Sequence, residues 1–290
     1  MPFWKQLLLQ LYYYGTYPAR RRDNARRMAA GCAPAIVLFY HRIADNGATP
    51  WTASNRTFAR QMRWLKSRFD MVSLAEVQRR LRSGQNFRPC VSITFDDGYA
   101  DNCHKALPLL LAEQIPCTYF VATRHILEDK LFPHDVGLNV GPRPNTPEQI
   151  VELAKAGVEI GVHTRNHADL GRIRDPRRLR EEIVDARDEL EDLIGSRPRY
   201  FAFPYGQHVN LSAVAFAMAR DAGYEAVCSA YGGFNFSGDD PFHLQRVHVD
   251  NDLIRLKNWV TVDPRKLRMT RRYEYKLGAD ALQREELVSQ

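Results

Sequence analysis

Two short stretches concentrate the side chains that could do chemistry. Thr94-Phe95-Asp96-Asp97-Gly98-Tyr99 sets two adjacent carboxylates where an apolar run stops and turns, and Val162-His163-Thr164-Arg165-Asn166-His167 sets two imidazoles just beyond another such run. Adjacent acids at the end of a buried strand are costly unless a cation holds them. A His-x-x-x-His spacing lets both rings face one point if the residues between them form one helical turn, because positions i and i+4 share a face. Two histidines and one carboxylate leave a coordination position for water, the pattern of a catalytic rather than a structural metal site. Either stretch alone has a plainer reading, as a turn or as a solvated histidine pair. Together, each at the carboxyl end of a strand pattern, they point to a metal site.

The elements that must position them alternate. Ala35–Tyr40, Val91–Phe95, Thr118–Ala122, Val158–Val162, Tyr200–Phe203 and Glu225–Cys228 are short runs rich in β-branched and aromatic residues and read as buried strands. Between them lie helical patterns over Thr57–Phe69, Ser73–Ser83, Ala106–Gln114, Thr146–Ala156, Asp175–Leu193 and Leu211–Ala222. Thr146 before Pro147 reads as an N-cap with a first-turn proline, and Gly157, Gly195 and Gly223 follow helix ends. The alternation predicts an α/β fold of βα units around a parallel sheet, open or closed into a barrel, in one domain. Leu131–Pro144 reads as a long irregular insertion of the kind that binds ligands, and the mixed charges of Asp175–Asp192 as a solvated helix face.

Of the 290 residues 44% are hydrophobic and 26% charged, which excludes a disordered or fibrous chain. The net charge of +7 lies in the ends. Residues 1–27 hold six basic residues against one acidic and residues 264–290 seven against four, so the segment between carries net −1. A nucleic-acid binder would carry its basic stripe on the folded domain, so no nucleic-acid partner is expected. The pattern divides the chain into a basic helical extension (1–33), a catalytic domain (34–262) and a charged tail (263–290). Five cysteines at scattered spacings, none in a C-x-x-C pair, predict neither disulfides nor cysteine-bound zinc.

The first fourteen residues make a poor signal peptide, Ala29-Ala30-Gly31-Cys32 lacks the apolar stretch a lipidation box needs, and no run approaches the ~18 apolar residues of a membrane span. The expectation is a cytoplasmic protein. Phe3, Trp4, Leu7, Leu8 and Leu11 fall on one helical face, which leaves two readings open for residues 3–27: packing on the domain, or peripheral contact with the inner membrane surface beside the arginines. The oligomeric state is not legible.

Thr94–Tyr99 (TFDDGY), His163–His167 (HTRNH) and Phe201–Gly206 (FAFPYG), in that order, resemble the motifs of the polysaccharide deacetylase family, carbohydrate esterases with a distorted (β/α) barrel. The similarity covers roughly residues 34–262. It implies one divalent metal ion, commonly zinc, on Asp97, His163 and His167, with Asp96 left as the general base. It implies a glycan partner containing an N-acetylated sugar of the N-acetylglucosamine type, from which acetate is released. It also implies that the N–H of Tyr205, after the motif's Pro204, steadies the oxyanion. The residues support that division of labour, because two carboxylates of one turn do not comfortably ligate one ion, and the second stays free to take a proton.

The sequence departs from the family at two points. The arginine that often orients the base in the third motif is replaced by Ala202, and Arg246 in Leu244–Val249 is expected to take over that role. For the general acid that protonates the leaving amine there are two candidates. His41, after Leu38-Phe39-Tyr40, resembles the subgroup of poly-N-acetylglucosamine deacetylases whose histidine strand comes first, and is preferred; His248, sharing a strand face with Arg246, is the alternative. His104, His125, His134, His208 and His243 read as structural, and Tyr99, Phe203 and Tyr205 as sugar-stacking or core residues. Three classes stay open: the deacetylase, a hydrolase of non-sugar amides or cyclic imides on the same scaffold, and a non-catalytic glycan-binding relative.

Overall fold

The computed structural model describes residues 3–138 and 142–275. The β-branched and aromatic runs become strands: β1 (Ala35–Tyr40), β2 (Cys90–Phe95), β3 (Cys117–Val121), β4 (Glu159–Val162), β5 (Tyr200–Ala202), β6 (Ala226–Cys228), β7 (His243–Leu244) and β8 (Arg246–His248). They pair in parallel in the order β7-β6-β5-β4-β3-β2-β1-β8. Only Gln245 separates β7 from β8, so the two ends of this path are one stretch of chain, bonded to β6 on one side and to β1 on the other. The sheet therefore comes round on itself as a nearly closed, distorted barrel ringed by helices, with Asp70–Met71 paired alongside β2 off that path.

Side chains alternate across the barrel wall with the period of two that strands impose. Ile36, Leu38, Tyr40, Val91, Ile93 and Phe95 join the large cluster between barrel and helices. The opposite face carries smaller residues such as Ala35, Val37, Cys90, Ala202, Ala226 and Cys228. Those small side chains leave space for one large one, and Arg246 lies there fully buried, over the rings of Phe39 and Phe120. Each fully buried Phe, Leu or Ile contributes about 1.5–3 kcal/mol to the fold.

Register decides what gathers at the rim. Tyr40 lies opposite Phe95, so His41 and Asp96, one residue on, emerge side by side. Phe39 lies opposite His248. Val121 pairs with Val162, and Val162 with Phe201, so His163 leaves the sheet beside Ala202. The three motifs thus meet at the carboxyl ends of the strands, where parallel α/β folds place their sites.

The helix signals hold locally. Thr146 and Gln149 form a capping box, and Gly157, Gly195 and Gly223 take φ of 90°, 71° and 88° past their helices. All five cysteines are free thiols. The basic N-terminal segment is a single helix, Phe3–Ala29, packed against the Leu253–Val260 helix. The segment set apart as a tail from 263 onward is, through residue 275, part of the packed domain. Asp263 is buried and caps the Pro264–Met269 helix, and Tyr275, also buried, stacks on Phe216 with ring centroids 4.0 Å apart. Its charge pattern hid two aromatic anchors, Tyr273 and Tyr275. Residues 276–290 of that tail, and 139–141 of the insertion, lie outside the described residues. Among the described residues no helix is long and apolar enough to cross a membrane.

Candidate active site

Three turns at the rim carry the motifs, and each is made by left-handed backbone. Asp97 (φ 73°) and Gly98 (φ 81°) reverse the chain after β2, Thr164 (φ 62°) and His167 (φ 54°) shape the loop after β4, and Tyr205 (φ 60°) and Gly206 (φ 56°) that after β5. A non-glycine residue pays for this conformation, and such residues persist where surroundings over-determine them, commonly at functional sites. Gly98 has no alternative residue: a Cβ there would meet Val121 Cγ1 at 2.9 Å. The two histidines converge through this left-handed loop and not through a helical turn; Thr164 and His167 supply the convergence that the i, i+4 spacing alone does not.

Asp97, His163 and His167 come together as expected, as three donors that could hold one metal ion, all within 4.8 Å of one another. Asp97 Oδ1 lies 3.2 Å from His167 Nε2 and 3.5 Å from His163 Nε2. That oxygen is buried and has no hydrogen-bond partner among the described residues, as expected of an atom whose natural partner is a cation. His163 Nδ1 donates to the Ala202 carbonyl at 2.8 Å, so its Nε2 lone pair faces Asp97. Burial pushes the His163 ring down to about 4, which keeps it neutral and able to ligate. Burial alone would raise Asp97, but the adjacent His167 imidazole outweighs it and holds the carboxyl far below the usual range. A set of two imidazoles and one ionised carboxylate fits a divalent ion.

Asp96 is not part of that three-donor group: Arg246 grips it with two bonds, Nη1 to Oδ1 at 2.6 Å and Nη2 to Oδ2 at 2.8 Å. Burial would raise this carboxyl too, but the charge of Arg246 prevails and keeps it below the usual carboxylate range. Arg246 is held in turn by the Ser229 carbonyl and the Thr94 hydroxyl. The cation that the adjacent carboxylates demanded, and that Ala202 cannot supply, comes from β8.

His41 and His248 both reach the rim, with rings 5.5 Å apart. His248 is pushed down to about 4 by desolvation and then by His41 beside it. His41 Nδ1 is buried without a partner among the described residues. Tyr205 N–H meets no acceptor there either, and Pro204 and Gly206 close its turn through a Gly206 N–H bond to the Pro204 carbonyl of 2.6 Å. Of the three candidate stacking aromatics, only Tyr205 is accessible, at 55%; Tyr99 and Phe203 are fully buried core.

Two groups of residues near the site were not singled out by spacing. Glu182, within the stretch read as a solvated face, is buried. It lies in a π-helical turn, Glu181–Asp185, between the helices Pro176–Arg180 and Ala186–Ile194. That turn aims its carboxylate at the histidine loop, where it accepts from Arg165 N–H (3.1 Å), Asn166 N–H (2.8 Å) and Asn166 Nδ2 (2.8 Å). Glu182→Ala is expected to loosen His163 and His167 and to weaken metal affinity about 10–100-fold, as loss of an orienting partner typically does. Titration of zinc into stripped protein, with a wild-type circular dichroism spectrum as control, checks it; unchanged affinity would deny Glu182 that role.

The second group sits on the insertion. His134 Nε2 lies 3.1 Å from the Tyr99 hydroxyl, which donates to Asp135 Oδ2 at 2.8 Å, and its ring lies 5.9 Å from that of His167 and 4.9 Å from Trp51. His134 therefore borders the site, and His125 stacks on Phe132, whose ring lies 5.3 Å from that of His167, whereas His208 and His243 pack on aromatic rings elsewhere and His104 is exposed.

A family model described as polysaccharide deacetylase matches residues 83–227, half of the chain. YxkH of Bacillus subtilis (strain 168) is 25% identical over 217 residues, 73% of this chain and 70% of that protein. The chitooligosaccharide deacetylase of Bradyrhizobium sp. (strain ANU 289) is 28% identical over 118 residues, 40% of this chain and 46% of that protein. The solved structure of IcaB from Ammonifex degensii superposes with a TM-score of 0.65 at 26% identity, covering 79% of this chain and 97% of that one.

Proposed function

The chain belongs to the polysaccharide deacetylase family and is a hydrolase of carbon–nitrogen amide bonds, and from that premise we propose that it removes the N-acetyl group of an N-acetylglucosamine-type sugar, in a polysaccharide or its precursor, releasing acetate. The observation that carries this reading is an ionised carboxylate, Asp96, that is held by a bidentate arginine and is no member of the three-donor cluster one residue away. A binding module has no need of both. The name of the Bradyrhizobium relative supports the sugar class.

A divalent ion held by Asp97, His163 and His167, zinc in this reading, supplies Lewis acidity and makes water acidic near neutral pH. Asp96 takes a proton from the attacking water, whose oxygen adds to the acetyl carbon. Arg246 keeps that base ionised and fixed in direction. The free N–H of Tyr205 donates to the oxygen on which charge develops. As the C–N bond breaks, a histidine protonates the departing nitrogen, leaving acetate and an amine. His41 is assigned that step, because strand register sets it beside Asp96 at the rim, whereas His248 lies one strand further off on β8.

Acetate release from N-acetylglucosamine oligomers, by metal-stripped protein with and without added zinc or cobalt, tests the proposal. Release should depend on the metal. His41→Ala should lower turnover about 10²–10⁴-fold, the usual contribution of a general acid, and His248→Ala far less. The reverse order would transfer the role to His248. No release with metal shown to be bound would move the reading to a non-sugar amide.

A further inference from the structure

The N-terminal helix has two unlike faces. On one, Tyr13 and Arg20 are 5% and 2% exposed. Arg20 donates to the Asn258 carbonyl, Asn258 Oδ1 and Thr261 Oγ1 and lies 3.8 Å from Asp263, to which Tyr12 also donates at 2.8 Å. These buried polar contacts set the helix in one rotation on the domain. In that rotation Trp4, Leu7, Leu8, Leu11 and Tyr14 point outward, 58%, 46%, 56%, 61% and 62% exposed. Steps of three, one, three and three residues put them on a single stripe of a 3.6-residue helix. Leu7, Leu8 and Leu11 are not left over from poor packing, because the helix already has a buried face.

The stripe changes character along its length. Eighteen residues, five helical turns, carry Trp4 onto Arg22 and Leu8 onto Arg26, and Arg21 flanks them, all exposed. From Leu11 to Arg22 is about 16 Å at 1.5 Å per residue, so the apolar and basic zones are distinct. The helix holds one acidic residue, Asp23. A second copy laid on this face would set arginine against arginine or against leucine, with only Asp23, already 3.7 Å from its own Arg26, to answer them.

We propose that this face is a docking surface for an anionic lipid bilayer, independent of the metal site. The apolar half enters the headgroup–acyl boundary and Arg21, Arg22 and Arg26 meet the phosphates, the composition of helices that lie in a membrane interface. The domain is then tethered to the bilayer through a helix fixed to its own fold.

Sedimentation of the full chain with vesicles tests this. Vesicles of phosphatidylcholine with phosphatidylglycerol should bring the protein down, those of phosphatidylcholine alone should do so poorly, and added salt should weaken binding. The triple variant Leu7→Ser, Leu8→Ser, Leu11→Ser and the double variant Arg21→Glu, Arg22→Glu should each lose about tenfold or more in partitioning. Both should melt at the wild-type temperature, since none of the five side chains is buried. Equal sedimentation of wild type and triple variant would overturn the proposal. So would a dimer, seen by light scattering, that the triple variant abolishes while wild type ignores vesicles.

Discussion

Asp97→Asn should lose metal and activity together, whereas Asp96→Asn should lose activity and keep the metal. Asp97 supplies the single anionic donor of the cluster, from an oxygen with no other partner. Asparagine tolerates the left-handed backbone that Asp97 occupies, so the turn should survive and only the ligand change. Two imidazoles alone are a weak site for a divalent ion. Asp96 plays a different part in the site: both its oxygens are bonded to Arg246, and neither belongs to the three-donor group. Its amide cannot accept a proton from water, so turnover should fall about 10²–10⁴-fold while metal content stays at wild type. Acetate release measured beside metal content after dialysis separates the two. Asp96→Asn keeping a tenth of the wild-type rate, or losing metal as readily as Asp97→Asn, would contradict the assigned division.

The contrast was legible in the sequence because two neighbouring carboxylates in one turn cannot share one environment. So were the strands, whose β-branched and aromatic runs are buried on both faces of a nearly closed parallel sheet. What escaped was carried by geometry that spacing does not encode. The convergence of His163 and His167 depends on two left-handed residues, and nothing in HTRNH distinguishes that loop from a helical turn. Glu182 shares its charge pattern with exposed neighbours, and only a π turn separates a buried clamp from a solvated face. His134 belongs to an irregular insertion and meets His167 across thirty-three positions of chain, a contact no periodicity announces. The choice between His41 and His248 stayed open for a related reason: strand register brings both to one rim, and only their surroundings differ.

Arg246 is where sequence and structure meet most closely, and its removal should be felt in stability and in the pH dependence of turnover alike. The guanidinium is fully buried and is the main force holding the equally buried Asp96 ionised. Breaking such a pair from one side leaves an uncompensated charge, so Arg246→Ala should cost about 3–5 kcal/mol at neutral pH. The sign of the pH effect follows from burial. In the wild type the depressed Asp96 contributes stability that is fully present above the ordinary carboxylate range and lost as pH falls through its folded value. Without Arg246, burial prevails and the carboxyl rises above that range, so the folded state takes up a proton and the deficit narrows as pH falls. For the same reason the acid limb of the rate profile, which reports ionisation of the base, should move to higher pH. Arg246→Lys should recover part of the stability and little of the rate, because a single ammonium cannot make both bonds that fix the carboxylate's direction. Denaturant melts across pH, with kcat/KM profiles on the same samples, read both effects. An Arg246→Ala protein with wild-type turnover and an unmoved acid limb would show that Asp96 needs no partner on β8, and the base would have to be sought elsewhere.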